Sequence, residues 1–286
     1  MKVLRIGWFV LLLTAFSFGS GKVYALDSRA NIERAVALIE TEQFGLARSY
    51  LEPALIDPRL TPGERSRAYY LRGFSYLAQE MSVSARKDYY RALEFNPNNA
   101  VVLLELGILH STGRGTERDE QLGLSLFEQA AALGYDRAHY HLGRAYLYGH
   151  GVTKNVEAAR NALTAGAQQR HVFAMMALAA SYRRLHVTDP QPELALAWYE
   201  KAHAEGEPGA LLSIGFMHAN GEFGEADAAV AVEYFRQALT EGLPLAAVHL
   251  AYAHLTGSGV EQDEQAALSL YLQAAEAGVP AAFVGL

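Results

Sequence analysis

The sequence predicts an all-α fold built as a solenoid of antiparallel helix pairs, and two observations predict it. Similar residues recur at a constant step of 36 positions through residues 99–278. Within each copy, apolar residues recur at the spacing of one helix face, and glycines separate the two apolar stretches. A fixed period of this length is typical of proteins whose repeats bury their apolar faces against their neighbours.

Four columns of residues define the period. The first column contains Leu106-Gly107, Leu142-Gly143, Leu178-Ala179, Ile214-Gly215 and Leu250-Ala251. The second, which is bulky, contains Phe127, Leu163, Tyr199, Phe235 and Tyr271. The third contains Ala130, Gly166, Ala202, Ala238 and Ala274, and the fourth contains Gly134, Arg170, Gly206, Gly242 and Gly278. The columns divide the chain into five units at 99–134, 135–170, 171–206, 207–242 and 243–278.

The unit 135–170 illustrates how each repeat divides into two helices. Ala138, Leu142 and Ala145 lie at helical spacing and predict an apolar stripe on the first helix. Gly149 ends that helix, because glycine reaches the left-handed dihedrals of a helix stop. Asn155 begins the second helix, where a short side chain accepts an N–H group of the first turn. The equivalent positions are Asp119, Gln191, Asp227 and Asp263.

These units resemble the Sel1-like repeat, a relative of the tetratricopeptide repeat. The segments that carry the resemblance are A-H-Y-H-L-G-R-A-Y-L-Y-G-H-G-V at 138–152, G-S-G-V-E-Q-D-E-Q-A-A at 257–267 and A-W-Y-E-K-A at 197–202. The third copy departs from the pattern, since Leu185-His186-Val187 replaces its double-glycine turn. The resemblance implies a protein-binding scaffold in which the first helix of each pair lines a ligand groove.

Residues 26–98 resemble two tetratricopeptide repeats. The second of the two carries the signature positions Tyr69, Gly73, Tyr76, Ala85, Tyr89, Ala92 and Pro97. A weaker copy precedes it, with Ala47, Leu51 and Ala54 as the stripe of its second helix, and residues 60–63 form a short linker or turn between the two copies. Two tetratricopeptide-like and five Sel1-like repeats therefore predict seven helix pairs stacked in one right-handed superhelix.

Composition excludes several classes of function. The 286 residues include no cysteine, which removes disulfides, thiolate metal sites and a cysteine nucleophile. The formal net charge is −7, whereas an extended phosphate-binding surface needs clustered lysine and arginine. With 51% hydrophobic residues, the chain is also too apolar for intrinsic disorder. The expected partner is a protein or peptide segment, not a nucleic acid.

Residues 1–25 have the pattern of a cleavable secretion signal. Lys2 and Arg5 precede an apolar run from Ile6 to Phe18, and Val23-Tyr24-Ala25 fits a small-x-small cleavage site. The run makes about 20 Å of helix, less than the hydrocarbon core of a bilayer, although a retained anchor is the alternative. We therefore expect a periplasmic or secreted protein that is not integral to the membrane after cleavage and carries no lipid on a cysteine.

Residues 279–286 repeat the start of a further unit. Pro280, Ala282 and Leu286 are in register with Pro244, Ala246 and Leu250. Because solenoids normally finish with a polar capping helix, this predicts either a truncated reading frame or an end covered by a partner. Truncation is the favoured interpretation.

Catalytic and cofactor-binding motifs are missing from the sequence. It contains no Gly-x-Ser-x-Gly elbow, phosphate-binding loop or His-Glu-x-x-His helix. His110, His218 and His254 share a column with Tyr146 and Tyr182, which favours packing over metal binding. We predict no enzyme activity, no cofactor and no bound metal.

The predicted protein-binding groove follows the first helix of successive repeats. Its residues are Tyr70, Phe74, Leu104, Ile108, Tyr140, Arg144, Tyr148, Phe173, Met176, Arg183, Arg184, Leu212, Phe216, Val248 and Tyr252. Aromatic residues, methionine and arginine are enriched at the cores of protein interfaces, although such positions also serve helix packing. Arg144, Arg183 and Arg184 are expected to form one basic patch, suited to a peptide with apolar anchors and a carboxylate.

Three classes of function follow from this interpretation. The first is a periplasmic protein–protein interaction scaffold in a bacterial envelope assembly, and the resemblance implies settings such as polysaccharide secretion or outer-membrane complex assembly. The second is a secreted binding protein that acts on a host or neighbouring cell. An enzyme is the least favoured class, because no catalytic constellation supports it.

Overall fold

The computed structural model describes residues 27–183 and 190–285. The predicted signal at 1–25 and the departing loop at 185–187 lie outside these residues. The described part of the chain contains helices and no strand. The helices are α1 (Ser28–Glu40), α2 (Phe44–Leu55), α3 (Pro62–Leu77), α4 (Ser82–Phe95), α5 (Ala100–Thr112), α6 (Glu120–Ala132), α7 (Asp136–Tyr148), α8 (Val156–Gln168), α9 (Val172–Ser181), α10 (Pro192–Ala204), α11 (Gly209–Ala219), α12 (Ala228–Thr240), α13 (Leu245–Thr256), α14 (Glu264–Glu276) and α15 (Ala282–Gly285).

The helices pack in chain order as a solenoid. Each helix contacts the one that follows it, so that α1 to α14 form seven antiparallel pairs and the second helix of each pair contacts the next pair. Beyond the seventh pair, Ala282 of α15 packs against Ala247 and Ala274. The all-α solenoid predicted from the 36-residue period is confirmed.

A glycine on the first helix fixes the close approach within most pairs. A Cβ atom at Gly143 would lie 2.6 Å from Cδ2 of Leu163 and 3.2 Å from the carbonyl oxygen of Ala159. The same contact joins Gly73 to Tyr89, Gly107 to Phe127 and Gly215 to Phe235. The first two sequence columns are therefore two sides of one interface, in which a bulky side chain on the second helix fills the space that the glycine leaves.

Short polar residues start most of the second helices. The side chains of Asp119, Asn155, Asp227 and Asp263 accept N–H groups from the first turns of α6, α8, α12 and α14, as predicted. Gln191 occupies the same position before α10 but makes no side-chain capping bond among the described residues. Pro192 begins α10 instead, and proline suits the first helical position because the N–H it lacks has no partner there.

The segment 60–63 is not the linker that the sequence suggested. Pro62 and Gly63 are the first two residues of α3. Thr61 accepts the Glu64 N–H, while the Glu64 carboxylate accepts the Thr61 N–H at 2.8 Å. This reciprocal capping pair places Pro62 in the first turn of the helix, where proline is tolerated because the N–H that it lacks would have no helical partner.

In the loops after α5, α7 and α13, a glycine makes a close contact with the preceding repeat. A Cβ atom at Gly115 would lie 2.5 Å from the carbonyl carbon of Ser82, at the start of α4. Gly151 meets the start of α6 at Glu120, and Gly259 meets the start of α12 at Ala228, in the same way. All three glycines have positive φ, so both the conformation and the space require glycine.

Candidate protein-binding surface

The structure places the fifteen predicted groove residues at different depths. Leu104 and Leu212 are buried, with 0% and 6% of their surface exposed, so the prediction that they line a groove is wrong. Arg184 lies outside the described residues. The exposed members are Arg144, Tyr148, Phe173 and Tyr252. The half-buried members are Tyr70, Phe74, Ile108, Tyr140, Met176, Arg183, Phe216 and Val248.

Leu104 is buried because neighbours cover α5 on several sides. The helix has the sequence AVVLLELGILHST and contacts both α4 and α6. A helix that is apolar nearly all round has no solvent face to offer, unlike one with a single apolar stripe. Leu212 lies on α11, which is similarly apolar, and it packs in a cluster with Phe235 and Leu250.

Several half-buried members serve mainly to pack helices together. The Tyr70 ring lies 6.1 Å from Tyr89 and 6.4 Å from Phe74, and Phe74 lies 6.5 Å from Phe44. Burial, followed by the charge of Glu105, raises the pKa of the Tyr70 hydroxyl to about 12. This end of the predicted groove is therefore a packed aromatic interior rather than an open surface.

Two exposed aromatic residues and one half-buried tyrosine of α7 and α9 lie in a row with Arg144. We use the name aromatic ladder for Tyr140, Arg144, Tyr148 and Phe173. The Tyr140 and Phe173 rings are 6.2 Å apart, while the Arg144 guanidinium lies 5.5 Å from the Tyr140 ring and 5.9 Å from the Tyr148 ring. Tyr148 and Phe173 are 50% and 57% exposed. The spacing of 140, 144 and 148 puts three members on one face of α7, and α9 contacts α7 beside them.

Arg144 forms no ion pair with a carboxylate of the described residues. Its hydrogen bond is a long one, from Nη1 to the Tyr140 hydroxyl at 3.4 Å. The guanidinium otherwise lies against the two tyrosine rings, an arrangement that the negative face of an aromatic ring favours. An arginine has five N–H donors in a fork, so most of those on Arg144 remain available to a ligand.

Arg183 differs from its predicted role in the basic patch. Its guanidinium donates to both oxygens of the Glu222 carboxylate, from Nε at 3.0 Å to each and from Nη2 at 2.5 Å to Oε1. The two side chains are only 12% and 9% exposed. A buried pair of this kind uses the arginine for structure, so Arg183 does not offer its charge to a partner as Arg144 does.

A cavity of about 380 Å³ opens beside Arg144. Its apolar lining consists of Ile108, Phe127 and Ala145. The polar lining consists of Ser111, Thr112, Arg118, Glu120, His141, Arg144 and His150. We call it the cationic cavity, because it contains two arginines and one carboxylate.

Glu120 is already engaged within the cationic cavity. Its carboxylate accepts a hydrogen bond from Arg118, another from the Gly151 N–H at 3.1 Å, and lies 3.3 Å from His150 Nδ1. The bond from Arg118 is the main reason that the pKa of Glu120 lies below its usual range. The charges of Arg118 and Glu120 therefore neutralise each other, and the positive charge of Arg144 has no counter-charge in the cavity lining.

His141 closes the cavity against the core. Its ring stacks on Phe127 with centroids 5.1 Å apart. Burial, followed by the positive charges of Arg144 and Arg137, lowers the pKa of His141 to about 4, so the ring is neutral at pH 7. The sequence did not indicate that Arg118 and His150 lie beside Arg144, because they come from the loops of two different repeats, whereas His141 lies on α7 with Arg144.

Two histidines of the column that the sequence assigns to packing, His110 and His218, lie against aromatic residues. His110 is 6% exposed and lies 2.7 Å from the Tyr90 hydroxyl, measured from Nε2. His218 stacks on Tyr234. Residues 27–183 and 190–285 contain no group of three or more histidine, cysteine or acidic residues placed to hold a metal ion. Within the same ranges, no helix has both the length and the apolar character needed to cross a bilayer.

The fold defines a helical-repeat protein, a solenoid of consecutive helix pairs. The Sel1 repeat family model matches five segments, at residues 100–135, 136–161, 172–206, 208–243 and 244–279. These segments cover more than half of the chain, and the chain belongs to the Sel1 repeat family. Sel1 repeat proteins act as scaffolds for protein–protein interaction.

Solved structures and a curated relative are similar to the chain. A Sel1 repeat protein from Oxalobacter formigenes is 26% identical with a TM-score of 0.58, over 75% of this chain and 84% of that one. PilW, a type IV pilus biogenesis factor, shares the fold at 20% identity and a TM-score of 0.57, over 79% of this chain and 96% of that one. An uncharacterized protein of Neisseria meningitidis serogroup B is 30% identical over 118 residues, which are 41% of this chain. The chain spans about a quarter of that relative's length, since the match covers 24% of it.

Proposed function

We propose that this chain is a protein–protein interaction scaffold that holds a segment of another protein against the aromatic ladder. The observation that carries the proposal is the exposure of Tyr148 and Phe173 beside an arginine that no described carboxylate neutralises. Exposed aromatic side chains grouped with arginine are the residues that supply most of the binding energy at protein interfaces. The ladder holds them on two packed helices, so little conformational entropy is lost on binding.

We further propose that the scaffold works in the bacterial envelope, outside the inner membrane. The support is the pattern of residues 1–25, in which a short basic start precedes an apolar run and a small-x-small site. An assembly for polysaccharide secretion or for building outer-membrane complexes is the setting that the family resemblance favours. A secreted protein that binds a host or neighbouring cell is the second candidate, and the same signal supports it.

The binding proposal is tested by comparing variants that differ in one exposed side chain. The mature chain is used to recover partners from envelope extracts, alongside Phe173→Ala and the control Leu272→Ala. Leu272 is 47% exposed on α14, remote in sequence from the ladder. A true partner is recovered by the wild type and the control, and its affinity falls about tenfold or more with Phe173→Ala.

Circular dichroism of the three proteins serves as the check on folding, and it is expected to be the same for all. Equal recovery of every partner by Phe173→Ala would remove the ladder as the binding surface. The setting is tested separately, by fractionating cells and sequencing the N-terminus of the product. A product that begins at Leu26 outside the inner membrane is expected, whereas an intact N-terminus in membrane pellets would contradict the proposal.

A further inference from the structure

The cationic cavity adjoins the aromatic ladder, because Arg144 belongs to both. The ladder approaches the cavity through Tyr140 and Arg144 on α7, and Tyr148 lies 5.9 Å from His150 on the other side. A peptide that contacts Arg144 on the ladder therefore also contacts a residue of the cavity lining. Whatever side chain it carries at that point meets the contents of the cavity.

The charges of the cavity favour one negative charge in its ligand. Arg118 and Arg144 are cations, Glu120 is an anion held by Arg118, and burial keeps His141 neutral. Arg144 is left with its donors directed only at a tyrosine hydroxyl 3.4 Å away and with no carboxylate partner among the described residues. One carboxylate would neutralise Arg144 and could accept two parallel hydrogen bonds from its fork.

The shape of the cavity favours an acidic side chain over a small ion. Its volume of about 380 Å³ exceeds what a single carboxylate group needs. Ile108, Phe127 and Ala145 supply an apolar lining that would contact the methylene groups of such a side chain. Ser111 and Thr112 lie in the same lining, but their hydroxyls donate to the carbonyl oxygen of Ile108 at 3.1 and 2.6 Å, so Arg144 supplies the donors for a carboxylate.

We propose that the cationic cavity binds the carboxylate of an aspartate or glutamate side chain in the partner segment. The inference rests on the proposed function, since the segment must lie on the aromatic ladder to reach the cavity. The ladder then supplies apolar anchoring, and Arg144 selects segments with an acidic residue at a fixed distance from an aromatic or aliphatic one. The chain therefore selects its partner by both the apolar pattern and the charge of the bound segment.

The test uses a library of short random peptides displayed on phage and selected on the immobilised mature chain. Wild type is expected to enrich peptides that contain aspartate or glutamate beside an apolar residue. The best peptide is then synthesised with its acidic residue intact and with the amide replacement. Both peptides are titrated against wild type, Arg144→Gln and the control Arg236→Gln, which removes an exposed arginine on α12.

We expect the difference in affinity between the acidic and the amide peptide to disappear when Arg144 is replaced. On wild type and on Arg236→Gln, the amide peptide binds about ten- to a hundredfold more weakly than the acidic peptide. On Arg144→Gln the two peptides bind equally, because the group that distinguishes them is gone. Glu120→Gln should tighten binding of the acidic peptide, because it removes a like charge from the cavity.

Three other results would overturn the inference, and they have different consequences for the proposed function, which titration of Phe173→Ala with the same peptides tests. If the selected peptides depend on Phe173 but show no preference for an acidic residue, the cavity proposal fails and the ladder stands. The same holds if the acidic preference persists on Arg144→Gln. If no peptide depends on Phe173, the proposed function fails and the cavity proposal fails with it.

Discussion

Arg144 and Arg183 come from adjacent repeats, and the sequence predicts the same role for both. In the structure they differ in what surrounds the guanidinium. Arg144 lies over two tyrosine rings at the surface, whereas Arg183 is held by both oxygens of Glu222 in a buried pair. One charge is available to a ligand, and the other is part of the interior.

The difference arises from the loop that follows α11. Glu222 is 39 residues beyond Arg183 and reaches back to it across one repeat boundary. No described carboxylate does this for Arg144, because the nearest acidic residue of its cavity, Glu120, is already bound to Arg118. Whether an arginine is available to a ligand therefore depends on whether a neighbouring repeat supplies an acidic partner. The sequence of its own helix does not determine this.

Removing Glu222 should have the largest effect on stability. Glu222→Gln leaves the Arg183 guanidinium buried, with 12% of its side chain exposed, and without a counter-charge. Breaking one side of a buried ion pair typically costs about 3–5 kcal/mol. The matched change is Glu233→Gln, whose partner Arg236 is exposed, and exposed pairs contribute about 0–1 kcal/mol.

Urea unfolding followed by circular dichroism measures the free energy of unfolding of both variants. Glu222→Gln is expected to be less stable than Glu233→Gln by several kcal/mol. Equal stabilities would mean that Arg183 is not locked by Glu222 in solution. Arg183 would then return to the binding surface, and the contrast with Arg144 would disappear.

Much of the fold could be predicted, because helix pairing follows from columns that are visible in the sequence. The glycine of the first column and the bulky residue of the second contact each other in the structure, as Gly143 and Leu163 show. The capping positions Asp119 and Asn155 were also predicted correctly. Such features depend on residues within one repeat, so a period is enough to reveal them.

The candidate site could be predicted only in part, because exposure depends on neighbouring repeats. Leu104 and Tyr140 occupy the same column, 36 residues apart, yet Leu104 is fully buried and Tyr140 borders an open surface. The column gives the direction of a side chain on its helix and leaves its depth undetermined. The cationic cavity was missed for a related reason, since Arg118 and His150 come from the loops of two different repeats.

The second prediction concerns acid stability around Arg144. The pKa of His141 is lowered from 6.5 to about 4 in the folded chain, first by burial and then by Arg144 and Arg137. Protons therefore bind the unfolded chain more readily, and stability falls as the pH drops from 6.5 to about 4. The full shift corresponds to about 3.5 kcal/mol, at roughly 1.4 kcal/mol for each pKa unit, and most of it is lost by pH 4.

Unfolding of the wild type and His141→Gln is compared at pH 7 and at pH 4. The wild type is expected to lose more stability than the variant over this range, by about 2–3 kcal/mol. Arg144→Gln should lose less than the wild type, because one of the charges that oppose protonation of His141 is removed. The same acid loss in wild type and His141→Gln would show that His141 is protonated freely in the fold, and that the cavity has a different charge.

The smallest expected effect on stability is that of Arg144→Gln, which is compared with Glu222→Gln at the Arg183 pair. Arg144→Gln removes a guanidinium whose contacts are two tyrosine rings and one hydrogen bond of 3.4 Å, all at an exposed position. Surface substitutions of this kind usually change the free energy of unfolding by less than about 0.5 kcal/mol. At pH 7, urea unfolding of Arg144→Gln should therefore match the wild type, while Glu222→Gln does not. A large loss at Arg144 would mean that this arginine, like Arg183, is needed to hold the fold, and the case for a ligand at the cationic cavity would weaken accordingly.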